Sequence, residues 1–345
     1  MKLLEHFAMA NFFTKFLSRQ SNAWLIVSLL LLSTLSQSTL ASSQTPQLSI
    51  IGSLSIDPDN ISGMVKTDRF LALATDEGTK IQILPKSKDG YLATPNGVID
   101  LNQTHTKIKE FDLEALAWQS PYLYAIGSHS KKRKKLKASL KTKENLNRIT
   151  PIIDEPDRRV LFRIELNKQL KAAHIDKISL LGNLHNQPIL APFLAIPSKE
   201  NGIDIEGLAV RSHKGKTQLY VGFRGPVLRG NLTPILKLTL DRNAFKVSKS
   251  KLLLVNLQGL GIRDMQATDN SFVLLAGAVN ETPKRFVLYD WSGKTTFSPL
   301  HEKLILPTDR GNPEAIAIQN LPGWGKGTWV ARDGAKNGAI RFYPF

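Results

Sequence analysis

One short pattern recurs along the chain and, more than composition, limits what it can fold into. Asp112-Leu113-Glu114-Ala115-Leu116-Ala117, Asp204-Ile205-Glu206-Gly207-Leu208-Ala209 and Asn312-Pro313-Glu314-Ala315-Ile316-Ala317 share the form Asp/Asn-x-Glu-small-aliphatic-Ala. Two degenerate copies align with them. Asn60-Ile61-Ser62-Gly63-Met64-Val65 has Ser for the Glu, and Ile262-Arg263-Asp264-Met265-Gln266-Ala267 has Asp there. The markers Ser62, Glu114, Glu206, Asp264 and Glu314 stand 52, 92, 58 and 50 residues apart. Each copy is followed by an apolar run ending in Gly or an acid, such as Phe70–Gly78 or Leu219–Gly225, and then by further short alternating runs such as Ile235–Leu240 and Lys251–Val255. Four short antiparallel strands repeated about every 50 residues are the signature of propeller blades.

The repeat predicts an all-β fold, a β-propeller of four-stranded antiparallel blades. The last repeat stops at Phe345 after three strands, and Leu48–Ile56 has no repeat of its own, so pairing of N- and C-terminal strands is expected to close the ring. The long interval of 92 either hides a sixth blade or interrupts the second blade between its second and third strands. Five blades fit better, with Val160–Leu166 and Ile178–Leu181 as that blade's last two strands. A pair of β-sandwiches is the all-β alternative. Pro188–Glu200 reads as an irregular or short helical crossing.

The interruption is strongly basic. Eight of the thirteen residues Lys131–Lys143 are cationic, and the whole chain carries 46 Lys+Arg against 29 Asp+Glu. Such a run repels itself and cannot bury apolar surface, so residues 128–158 read as an insertion outside the core. It suits a solvated loop or a contact with anionic lipid or an acidic envelope polymer.

At the N-terminus, Lys2, Lys15 and Arg19 precede the apolar run Ala23–Leu35, and Thr39-Leu40-Ala41 offers small residues before a polar stretch. This reads as a signal peptide over residues 1–41, with residues 42–345 the single propeller domain of an exported, periplasmic or secreted protein. No later segment is apolar enough to span a bilayer. Export argues against sequence-specific nucleic-acid binding, and a monomer is expected. The absence of Cys excludes thiolate nucleophiles, Cys-ligated zinc and iron–sulfur clusters, so any metal must sit on oxygen or imidazole. No G-x-S-x-G elbow, P-loop, G-x-G-x-x-G or H-E-x-x-H occurs.

In a strand, residues two apart share a face, so the first and third motif positions point together. If each copy opens an inner strand, Asp112, Glu114, Asp204, Glu206, Asp264 and Glu314 gather at one mouth of the central channel as candidate metal ligands, for Ca²⁺ above all. Buried like charges require cations, backbone N–H groups or a metal. Arg224, Arg229, Arg263, Arg332 and His129 are the candidate partners, or the candidate ligand-binding groups for a small anion. Gly222-Phe223-Arg224-Gly225-Pro226-Val227-Leu228-Arg229-Gly230 reads as an anion cradle or as a plain turn.

Asp112–Ala117 with Gly127–Ser130, Asn201–Ala209, Gly222–Gly230 and Asn312–Ala317 together resemble the bacterial family called domain of unknown function 3616, from about Leu54 onward. The Glu-Gly-aliphatic-Ala repeat is also similar to that of the esterase-like-phytase propellers. The resemblance implies a secreted propeller without an assigned activity, and the second likeness implies phosphoester or anion handling. Ser62 and Asp264 in place of Glu, and Ala115 in place of Gly, depart from a uniform ring. Three functions follow from the residues: a propeller binding a small anionic ligand or Ca²⁺ at its channel mouth, a metal-assisted phosphoesterase, and an envelope adaptor using Lys131–Lys143.

Overall fold

The computed structural model describes residues 45–102, 107–280, 282 and 284–345. The expected leader, residues 1–41, lies outside them. Pro46–Phe345 form one compact unit, a five-bladed β-propeller. Blade 1 consists of Ile61–Lys66, Phe70–Thr75, Lys80–Pro85 and Val98–Asp100, in that order from the axis outward. Blade 2 follows with Leu113–Gln119, Tyr122–Gly127, Leu161–Leu166 and Ala172–Ile178. Blade 3 has the longest strands, Asp204–His213, Lys216–Gly225, Leu232–Leu240 and Val247–Asn256, and Thr296–Pro299 runs parallel to its outer edge. Gly261–Ala267, Phe272–Gly277, Phe286–Trp291 and Glu302–Leu306 make blade 4. The interval of 92 therefore hides no sixth blade. The fourth strand of blade 2 sits at Ala172–Ile178 and ends where the sequence places its start, because Leu181–His185 is a helical turn.

Blade 5 has three strands of its own, Asn312–Leu321, Gly325–Asp333 and Arg341–Pro344. Its outer edge is completed from the other end of the unit, through Leu48 N to Ile340 O at 2.9 Å, Phe342 N to Pro46 O at 2.9 Å and a bridge between Gln47 and Arg341. The closing segment is shorter than the sequence suggests, since Ile50–Ile51 turn away to pair with Tyr91–Leu92.

A strand with apolar residues on both faces must bury both, and each space between neighbouring blades is filled accordingly. Ala115, Tyr124 and Ile126 of blade 2 meet Ile205, Leu219 and Phe223 of blade 3, and Leu184, Leu190 and Ile203 of the crossing fill the wedge beside them. Leu48, Ile56, Leu71, Trp329 and Phe342 seal the space between blades 5 and 1. Each such side chain, fully buried, stabilises by about 1.5–3 kcal/mol before chain entropy is counted.

The basic segment leaves blade 2 after its second strand. Lys131–Arg133 pair antiparallel with Ile152–Asp154, and between them lies the helix Thr142–Ile149, none of whose residues is buried.

Candidate functional site

Every inner strand carries a β-bulge at the same place. The pairing register skips between Ile61 and Gly63, Leu113 and Ala115, Ile205 and Gly207, Ile262 and Asp264, and Pro313 and Ala315. A bulge leaves one residue out of the ladder and re-aims its side chain. The five bulged residues are Ser62, Glu114, Glu206, Arg263 and Glu314, and all line one cavity of about 630 Å³ at the channel mouth. The ring of acids is real but broken: blade 1 supplies a hydroxyl and blade 4 a guanidinium.

Asp264 is thus not the blade 4 counterpart of the glutamates; Arg263 is. The Asp264 carboxylate points away from the mouth and accepts backbone N–H from Met265 at 2.7 Å and from Ile316 of blade 5 at 2.8 Å. It ties two blades together and is not a ligand to the cavity. Two residues before the bulged Arg263, Gly261 stands where the other blades have Asn60, Asp112, Asp204 and Asn312. A Cβ there would lie 2.0 Å from the Arg224 carbonyl oxygen, so a carboxylate has no room.

The arginines knit the ring. Arg263 bridges Glu206 at 2.7 Å and Glu314 at 2.6 Å, joining blades 3, 4 and 5. Arg224 ion-pairs with Asp204 and, at 2.6 Å, with Glu206. Asp112 receives Arg158 at 2.8 Å and the Ser128 hydroxyl, and Arg158 also reaches Glu110 at 2.5 Å. Glu114 differs. Oxygens of Glu114, Asp204 and Glu206 lie within 4.8 Å of one another, and among the described residues Glu114 forms no direct ion pair or hydrogen bond, the charges of Arg224 and Arg263 acting on it only from farther off. Burial, then the charges of Asp112, Glu206, Asp204 and Asp76, push its carboxyl far above the usual range.

Two further acids complete the floor. Asp76 follows the second strand of blade 1 and Asp333 ends that of blade 5, and both line the cavity. Asp76 Oδ1 is buried without a hydrogen-bond partner among the described residues, and burial beside Asp112 raises its carboxyl to about 7. Burial likewise raises Asp204 to about 7 and Glu314 to about 8, against the pull of Arg224 and Arg263 respectively. With Asp76, Asp112, Glu114, Asp204, Glu206, Glu314 and Asp333 facing only Arg158, Arg224 and Arg263, the floor has an excess of carboxylates. Behind it Met64, Leu116, Leu208, Met265 and Ile316, each two residues past a bulge, border a separate cavity of about 120 Å³.

The rim has the opposite sign. Lys132, Arg133, Lys134 and Lys135 of the insertion line the same cavity, as do Lys199 and Lys284. The insertion is held there by Arg133, whose Nε reaches Glu200 at 2.5 Å, and by Lys132 near Glu110 at 3.6 Å.

Three expected ligand-binding residues lie elsewhere. His129 is buried in the wall, its Nδ1–H donating to Gly127 O at 2.8 Å and its Nε2 accepting Leu180 N–H at 3.1 Å. Both nitrogens are taken by backbone, and burial pulls its pKa down to about 4. Arg332 is buried on the carbonyls of Pro307 and Gly311 and the Tyr343 hydroxyl. Arg229 is exposed on a turn outside the cavity. The Gly222–Gly230 segment is therefore not an anion cradle, since Arg224 points inward to carboxylates and Arg229 outward to solvent. Sequence reasoning missed Asp76, Asp333, Arg158 and the basic rim. The acids at the ends of two second strands were the available signal.

Fold and site together define a class: five-bladed propellers whose inner-strand bulges build a polar funnel at one channel mouth. The chain belongs to the family described as Protein of unknown function (DUF3616), whose model matches residues 60–322. No functionally curated protein matches it. Among solved structures it is similar to glutaminyl cyclase from Myxococcus xanthus, at 13% identity over 87% of this chain and 97% of that one, with a TM-score of 0.41. It is also similar to an exo-β-1,3-galactanase from Phanerochaete chrysosporium, at 10% identity over 87% and 63% of the two chains, with a TM-score of 0.46. A third is CoXyl43, a β-xylosidase/α-arabinofuranosidase from a compost metagenome, at 12% identity over 87% and 92%, with a TM-score of 0.46.

Proposed function

We propose that this protein is a ligand-binding propeller whose funnel takes up a divalent cation of the Ca²⁺ class, and through it a small anionic ligand. The observation that carries the reading is Glu114, a carboxylate with no direct ion pair among the described residues, set against Asp204 and Glu206. Donors around one Ca²⁺ sit about 2.3–2.6 Å from the ion and hence within roughly 5 Å of each other, and hard oxygen ligands suit such an ion. The separation of these three carboxylates meets that condition. A cation here relieves the like-charge repulsion that otherwise forces protons onto the floor. An anion bound to it would meet the ammonium groups of Lys132 and Lys134 on the rim.

Titration calorimetry with Ca²⁺ tests the reading. Binding is expected at pH 8, weakening toward pH 6 as protons compete, and lost in Glu114→Gln; heats unchanged by that substitution would overturn it. The meeting of carboxylates and a basic rim in one cavity also favours a metal-assisted phosphoesterase. Turnover of a generic phosphoester by the Ca²⁺-loaded protein, abolished by Glu114→Gln, would establish hydrolysis; binding without turnover rejects it. Export belongs to the same proposal, and the N-terminus of protein recovered from the extracytoplasmic fraction should begin near Ser42.

A further inference from the structure

We infer that the insertion over the funnel is a docking surface for an anionic lipid bilayer, on which the channel mouth faces the headgroups. Residues 131–154 contain nine Lys and Arg against two acids, so 24 residues supply +7 of the whole chain's +17. Charge alone would suit any polyanion. What selects a bilayer is the apolar groups carried among those charges. Seven large hydrophobic side chains are exposed among the described residues, and three of them, Leu136 at 65%, Leu146 at 55% and Ile152 at 44%, lie in this segment.

The segment is built to hold them in place. Asn145 binds the backbone of Lys137 at both N and O, at 2.9 Å each, and Arg148 donates to Lys135 O at 2.7 Å. The loop segment bearing Leu136 is thereby pinned along the helix bearing Leu146. Arg133 caps the helix end through the carbonyls of Ile149 and Thr150, at 2.5 and 2.8 Å. A helix without a single buried residue gains nothing from the core, and polar anchors alone fix its place. Lys137, Lys141 and Lys143 have no acidic partner among the described residues. Basic side chains around protruding leucines match the interfacial zone of an anionic membrane, where ammonium groups meet phosphate and the leucines enter the acyl boundary. Because Lys134 and Lys135 also line the funnel, docking turns the mouth toward the lipid surface.

The test uses residues 46–345, the unit that contains every blade, in chelator so that no cation contributes. Retention is expected on phosphatidylcholine vesicles with about one third phosphatidylglycerol, and not on pure phosphatidylcholine. Leu136→Ser with Leu146→Ser should lower partitioning about tenfold, and each of Lys137→Ala, Lys141→Ala and Lys143→Ala about fivefold. All these residues are solvent-exposed, so melting temperatures should not change. Equal retention on neutral vesicles, or no retention, would overturn the proposal. So would full retention by the double Ser variant with loss in the Lys variants, the behaviour of a site for soluble acidic polymers. The chain has no Cys, so single dyes can be placed at Asn280→Cys on the rim and Asn320→Cys at the far end of an inner strand. Lipid-borne quencher should dim the first and spare the second; the reverse would refute the orientation.

Discussion

Glu114 and Arg263 occupy equivalent bulges and show how one position can be set to opposite tasks. Arg263 is the counter-ion of two buried carboxylates, and removing one partner of such a network strands the other charges. Arg263→Ala should therefore cost about 3–5 kcal/mol in denaturant unfolding, far more than truncating an exposed arginine such as Arg229. Glu114 predicts the reverse. Carboxyls whose folded-state pKa is raised bind more protons folded than unfolded, so their contribution to stability falls as pH climbs from the unfolded value of about 4 to the folded one. With Asp76 and Asp204 at about 7 and Glu314 at about 8, the melting temperature in chelator should fall between pH 5 and 8.5 and recover when Ca²⁺ is added. Glu114→Gln should raise it at pH 8 by a few degrees, on the order of 1–2 kcal/mol. A melting temperature that rises over this pH range would contradict the charge excess. The acids at this site were readable because they repeat. Their pairing was not, since which arginine reaches which carboxylate is decided by bulge geometry that no spacing encodes.

Among elements, the insertion and the inner strand differ in what they owe to the core. The insertion has no buried residue in its helix, so replacing residues 131–154 with a short Gly-Ser turn should move the melting temperature by no more than about 2 °C. A larger loss in a thermal melt would mean that blade 2 depends on it. The sequence marks this element through its run of like charges, which cannot be core. It did not show that the element folds back over the mouth, which depends on Arg133 meeting Glu200, a contact 67 residues apart. The inner strand of blade 4 was read one residue out of register. Asp264 was the nearest acid to the expected place, and a bulge that shifts the unpaired residue to Arg263 leaves no mark in composition.

For the whole molecule, the decisive contact is the one that turns an open array into a ring. Pro46 and Leu48 bond to the last strand and Leu48 enters the core between blades 5 and 1. A chain beginning at Ser49 should lose about 2–4 kcal/mol, seen as a lower denaturant midpoint, through one buried Leu and two backbone hydrogen bonds. An unchanged midpoint would show that the blades cohere without closure. The five-fold plan of the wheel also bears on recognition. Had all five bulges carried the same side chain, a guest could settle in five interchangeable poses, a degeneracy of RT ln 5, about 1 kcal/mol, that blurs orientation. Serine, glutamate, glutamate, arginine and glutamate in turn abolish that equivalence, so an asymmetric guest, were one bound, would be held in a single azimuth, with one of its sides always turned toward the same blade.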